Sequence, residues 1–269
     1  MAQRSGRGQA FQAEELESLI LSAEQFVQSH TSILADPSHD WHHIQRVRRT
    51  ALWISGAFGE ADPAEPIDVT VVELAALFHD LCDKKLQPAG SSSVPTAGSV
   101  LQPWFAAQRD GLLHQNQRRM IIDIVDNVSW SKDQKRREAY RASHGRTDTL
   151  QGEDDDAFFA PLYAVAPFNW PEYACVSDAD RLDSIGAIGV MRCSAYSAVV
   201  SRPLVVDARD AEAAEAEESA LAHFHDKLLK IRGSRLRTTA ARKEAELRQE
   251  TMRYMLQQLQ REQSIVEQS

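Results

Sequence analysis

The residues best equipped for chemistry in this 269-residue chain are an adjacent pair, His79 and Asp80, which follow the apolar run VVELAALF at 71–78. That run holds one charged residue, Glu73, and no Gly or Pro, so it reads as a buried helix. Successive helical side chains diverge by about 100°, so a long imidazole and a short carboxylate side by side can converge on an ion lying beside the helix. From the pair alone a second reading stays open, in which His79 closes the helix C-terminus and Asp80 faces water.

Two further blocks carry metal-ligand residue types. SHDWHHIQRV at 38–47 offers His39, His42 and His43, and VSDADRLDSIG at 176–186 offers Asp178, Asp180 and Asp183. His39 and His43 have the spacing of a helical two-histidine clip, but Ser38 and Asp40 favour an N-cap here, which puts His39 outside the helix. Asp178 and Asp180 would lie roughly 200° apart on a helix, so one ion is not held by both. Taken in order, His43, His79-Asp80 and Asp180 resemble the H…HD…D signature of the HD-domain metal-dependent phosphohydrolases. The phrases HDWHHIQRV, AALFHDLCDKK, DADRLDSIGAIGVMRC and HFHDKLLKI resemble consecutive blocks of one bacterial and fungal branch, some of whose members are nucleoside triphosphate pyrophosphohydrolases. The match spans roughly residues 15 to 260, and the stretches 86–115 and 143–172 are longer and more irregular than that family's loops.

The resemblance implies one metal ion held by His43, His79, Asp80 and Asp180, with Asp178 left to a supporting or capping role. Its D-x-x-H-x-x-R-V spacing falls on Asp40, His43, Arg46 and Val47. Its HD-x-x-D-x-K pattern selects Asp83 and Lys85 as catalytic, one to orient the attacking water and one to hold a phosphate, against the plain alternative of a surface ion pair. Helical spacing adds Arg46, one turn from His43, Lys84, four beyond Asp80, and Arg181, next to Asp180, as cations for substrate phosphate. Gly186 and Gly189 read as a close approach of helices rather than a phosphate loop. His223, His225 and Lys227 read as packing or helix-end residues.

Two imidazoles and two carboxylates suit Mn²⁺ best, ahead of Fe²⁺, Co²⁺, Ni²⁺ or Mg²⁺. Such an ion lowers the pKa of its water and polarises a phosphoryl group, while Lys or Arg stabilises the charge on the phosphate chain. The binuclear relatives carry extra histidines before the final Asp; here only His114 and His144 lie in that interval, in or beside loop-like sequence, which favours a single ion. The expected reaction is hydrolysis of a nucleoside triphosphate to the monophosphate and pyrophosphate. The alternatives are a nucleoside monophosphate phosphatase, an HD-type di-iron oxygenase, for which no convincing extra ligands stand in the sequence, and a non-catalytic metal-binding regulatory domain, which would most naturally have lost a ligand.

The elements that must position these residues are helical. Apolar residues recur at helical spacing over 13–34, 40–58, 67–80, 101–113, 117–128, 171–185, 187–199, 210–231 and 238–262, with the polar stretch 211–222 read as a solvated face and 187–200 as core. No alternating strand and no repeat stands out, so the fold class is all-α: an HD-type helical bundle over 12–262, with loops at about 86–100 and 143–156 and tails at 1–11, expected to be disordered, and 263–269. A net charge of −9 and a pI near 5.5 argue against a general nucleic-acid binder. No run of 18 apolar residues and no leader pattern appear, and three scattered cysteines make no disulfide framework, so a cytoplasmic setting away from membranes is expected, with a small nucleotide as partner and a homodimer left open.

Overall fold

The innermost helix is the one that delivers His79 and Asp80. In the computed structural model, which describes residues 2–31, 40–61, 66–82, 95–145, 154–206 and 219–267, the regular elements are all helices. In chain order they are α1 (Ala2–Thr31), α2 (Trp41–Ala61), α3 (Val69–Phe78), α4 (Ala97–Ala107), α5 (Gln115–Asn127), α6 (Trp130–Ser143), α7 (Asp154–Tyr163), α8 (Pro171–Asp183), α9 (Gly186–Val199), α10 (Ala220–Asp226) and α11 (Thr239–Glu267). The all-α expectation therefore holds.

Helix α3 starts at Asp68, whose carboxylate accepts the Val71 N–H at 3.1 Å. That cap is held in turn, because the Asp68 N–H donates to Glu172 at 2.9 Å and Gln117 donates to the Asp68 carboxylate at 2.8 Å. Val71, Val72 and the run Leu74 to Phe78 are all buried, so the helix is apolar nearly all round and packs against α1, α2, α5 and α8. Burial of each large side chain contributes about 1.5–3 kcal/mol. Glu73 takes the charge of Arg48, which donates to it at 2.9 Å from α2.

Helices α2 and α8 share the most extensive interface in the molecule. Ile44, Val47, Ala51 and Ile54 on α2 repeat at helical spacing and are buried, as are Tyr173, Val176, Ala179 and Leu182 on α8. Helix α11 closes the bundle against α8 and α9. Its start is fixed by Asp178, fully buried, which accepts the Arg237 and Thr238 N–H groups at 3.0 and 2.8 Å and the Thr238 hydroxyl at 2.9 Å.

Several elements depart from the sequence reading. Helix α1 already runs from Ala2, inside the segment read as a tail. Helices α6 and α7 fall where no helix was expected. The helix expected over 210–231 is not continuous: within the described part Ser219 is extended at φ −115°, ψ 164° and caps a new helix by accepting the Ala222 N–H. That helix ends at Lys227, where φ is −130° and a single 3₁₀ turn, Leu228–Lys230, follows. Helix α9 is not a core helix, because Gly189, Cys193 and Ser197 face inward while Ile188, Met191 and Val199 are exposed. Among the described residues no helix is long and apolar enough to cross a membrane.

Candidate metal centre and its cavity

His43 sits in the first turn of α2, which is fixed by Asp40: the Asp40 carboxylate accepts the His43 N–H at 2.8 Å, and the Asp40 carbonyl accepts the Ile44 N–H. His79 is the C-cap of α3, and its Nδ1 lies 2.8 Å from the Ala76 carbonyl oxygen. The two readings of His79 are therefore compatible, since capping uses one ring nitrogen and leaves Nε2 for the site. Asp80 follows in the turn, and Asp180 reaches in from α8.

The four side chains meet. His43 Nε2 lies 3.2 Å from His79 Nε2, 3.3 Å from an Asp80 oxygen and 3.9 Å from an Asp180 oxygen. His79 Nε2 lies 3.4 Å from Asp80 and 3.8 Å from Asp180. Bonds of about 2.1 Å to one ion place neighbouring donor atoms roughly 3.0–3.4 Å apart, so the spacing is that of a single mononuclear shell, slightly open on the Asp180 side. His43, His79 and Asp180 alone already satisfy the geometry of a three-ligand cluster.

The hydrogen bonds of the rings fix their tautomers. His79 Nδ1 faces a carbonyl, which can only accept, and His43 Nδ1 faces the Asp183 carboxylate at 2.7 Å. Both Nδ1 atoms must carry the proton, and both Nε2 lone pairs then point into the same space. A divalent ion fits that arrangement and no hydrogen bond between the neutral rings does. When bound, the ion would supply an acidified water and a Lewis acid for a phosphoryl oxygen.

Asp183 organises the outer layer. It receives His43 Nδ1, a two-pronged contact from Arg46 at 2.7 and 3.0 Å, and Arg192 of α9 at 3.1 Å. Burial would raise its carboxyl pKa, but the bonds from His43 and Arg46 and the charge of Arg192 hold it well below the usual carboxylate range. For His43, burial opposes the charged form, yet the bonds to Asp183 and Asp80 outweigh it and raise the imidazole above its ordinary value. A carboxylate so placed orients the ring and increases its basicity, as it would for a histidine that holds a metal ion.

The centre opens into a cavity of about 650 Å³. His43, His79, Asp80 and Asp180 form its acidic end. Val125, Val128 and Ile231 give it an apolar side, while Lys132 and Lys135 of α6, Arg192 of α9 and Lys227 in the turn after α10 bring positive charge.

No family model matches the chain. The uncharacterized protein YpgQ of Bacillus subtilis is 31% identical to it over 86% of this chain and 88% of that one. The chain belongs to the family of YpgQ. A crystal structure of YpgQ in complex with ADP superposes with a TM-score of 0.58 at 26% identity, covering 90% of this chain and 97% of that one. An HD-superfamily hydrolase from Bacillus thuringiensis, 24% identical, shares the fold at a TM-score of 0.58 over 93% of this chain and 97% of that one.

In this member of the YpgQ family the remaining expected residues divide. Asp83, Lys84 and Lys85 lie outside the described residues, as do His39 and most of both loops. Arg46 does not face the cavity: its guanidinium is occupied by Asp183 and it lines the grooves on the other side of α2. Arg181 does line the cavity, but from within the core, at 2% exposure, paired to Asp133 at 3.4 Å and lying over the Trp130 ring. The sequence reading gave no role to Asp183, Arg192, Lys132 or Lys135. The first was within reach, since Asp183 stands three residues after Asp180 and so shares its helical face.

Proposed function

We propose that this protein is a metal-dependent phosphohydrolase that acts on nucleotides, cleaving a nucleoside triphosphate between the α and β phosphates to give the monophosphate and pyrophosphate, with Mn²⁺ as its preferred ion. The observation that carries the reading is the cavity itself, where two metal-ready imidazoles and two carboxylates stand at one end and positive side chains line the way out. An ion at the acidic end would acidify a water and hold one phosphoryl group, and the cations would take up charge on the rest of the chain. That supply of positive charge suits a polyphosphate better than a monophosphate. A relative solved with ADP and a neighbour described as a hydrolase support the same direction.

The test is to incubate the purified protein with Mn²⁺ and a panel of nucleotides and follow the products by phosphorus NMR. Pyrophosphate and a nucleoside monophosphate are expected. Orthophosphate without pyrophosphate, with no pyrophosphatase present, would replace this reading with a phosphatase.

A further inference from the structure

Part of the cavity wall is built from the first turns of α6, a helix that buries Trp130 together with two charged residues, Asp133 and Arg137. Asp133 on this helix is shared by three guanidinium groups, those of Arg136, Arg181 and Arg235, at 3.6, 3.4 and 3.8 Å. Asp178 adds a second negative charge near Arg181, and the group remains rich in cations. Arg235 registers the excess, since burial and the nearby Arg137 charge push its pKa down to about 10. Arg181, which lines the cavity, keeps Nε and Nη1 without hydrogen-bond partners although it is almost wholly buried. Arg181 therefore lends its charge to the cavity from behind the wall rather than a free N–H group.

Two lysines on α6 complete this wall. Lys132 and Lys135 are three residues apart, so they share a helical face, and both line the cavity. Lys132 spends one donor on the Asp126 carbonyl and has two more, and Lys135 is exposed. Ser129, the N-cap, makes no side-chain cap bond, so it leaves the first N–H groups of α6 uncapped. Among the described residues Asp80 and Asp180 are the acidic groups lining the cavity, and both belong to the candidate metal centre.

We propose that Lys132 and Lys135, with Arg181 beside them, form the subsite for the phosphates beyond the one held at the metal centre, and so select nucleoside di- and triphosphates over monophosphates. The proposal rests on the phosphohydrolase reading and names the residues that set its substrate class. A monophosphate reaches the ion but leaves this wall unmet. A longer phosphate chain engages both ends.

The experiment measures binding by calorimetry on the full-length Mn²⁺-loaded protein, using AMP and the non-hydrolysable adenosine 5′-(α,β-methylene)triphosphate. The wild type should bind the triphosphate analogue at least about tenfold more tightly than AMP. Lys132→Met and Lys135→Ala should each weaken the analogue by about tenfold, leave AMP within about twofold, and leave the metal content unchanged. Lys135→Glu, at an exposed position that keeps the fold, should weaken it further. Analogue affinity unchanged in the Lys135 variants, or equal losses for AMP and the analogue, would overturn the subsite. The two readings fail separately: wild-type cleavage of a triphosphate with unchanged variant affinities sinks only the subsite, and orthophosphate as the sole product sinks only the pyrophosphohydrolase reading.

Discussion

His43 and His79 face each other through Nε2 atoms 3.2 Å apart, with both Nδ1 atoms committed elsewhere, one to Asp183 and one to the Ala76 carbonyl. In the neutral rings the two lone pairs repel until a cation, a proton or a metal ion, lies between them, and the carboxylates of Asp80 and Asp180 beside them favour a divalent one. His79→Ala or Asp80→Ala should remove stoichiometric metal and, with it, activity. Metal should also stabilise the wild type, by about 2.7 kcal/mol at one hundred times its dissociation constant, and this gain should vanish in both variants. Thermal melts with and without added Mn²⁺, alongside elemental analysis, check it; full occupancy in either variant would remove the residue from the site.

Arg46 bonds Asp183, which bonds His43, and does not line the cavity, so its expected effect is on metal binding through that carboxylate rather than on substrate phosphate. Asp183→Asn keeps the shape and removes the charge, so metal affinity should fall by roughly 10–100-fold. Arg46→Ala should move metal affinity in the same direction with little change in KM under saturating metal, because Arg192 still braces the carboxylate. Metal titrations and steady-state kinetics separate the cases. A raised KM with untouched metal affinity would put Arg46 back on the phosphate.

The candidate ligands were legible because each sits in a short block whose apolar neighbours announce a helix: VVELAALF ahead of His79, and Ile44 and Val47 after His43. Helices fix side-chain direction, so ordered blocks converted into a cluster. What failed to show were interactions across the sequence between charged residues. Helix α6, WSKDQKRREAYRAS, has no apolar stripe, because beyond Trp130 at its start it buries Asp133 and Arg137; a rule that equates burial with hydrophobicity passes over it. Helix α9 misled in the opposite sense. Its apolar residues suggested a core, yet its inner face is Gly189, Cys193 and Ser197, small enough for close approach.

The buried carboxylate of Asp133 should tie stability to acid pH. Burial alone would raise its pKa, but the charge of Arg181, the hydrogen bond from Tyr163 and the charge of Arg235 prevail and lower it. A folded pKa below the unfolded value of about 3.9 means stabilisation that is fully present above that pH and lost as pH falls through the folded value. Asp133→Asn leaves buried guanidinium groups uncompensated, so it should cost about 3–5 kcal/mol at pH 7, or roughly 6 °C or more in Tm. The gap between wild type and variant should narrow once pH drops below about 4. Melts followed by circular dichroism from pH 7 downward test this, and a gap independent of pH would refute it.

Gly189 sets the distance between the end of α8 and the start of α9, and so the reach of Arg192 to Asp183. A Cβ built at Gly189 would lie 2.3 Å from the Ser184 carbonyl oxygen, a backbone atom that can yield only if the elbow between the helices opens. Opening it moves α9, which carries Arg192, away from Asp183, which braces His43. Gly189→Ala should therefore destabilise the fold by about 1–3 kcal/mol and weaken metal binding as Asp183→Asn does, though less. The control is Gly56→Ala on α2, where an added Cβ meets nothing within 4 Å. There the better helix former should be neutral or stabilising by up to about 1 kcal/mol, with metal affinity unchanged. Tm and metal titration on both variants decide the matter: equal behaviour of the two would show that glycine at 189 has no part in holding the site together.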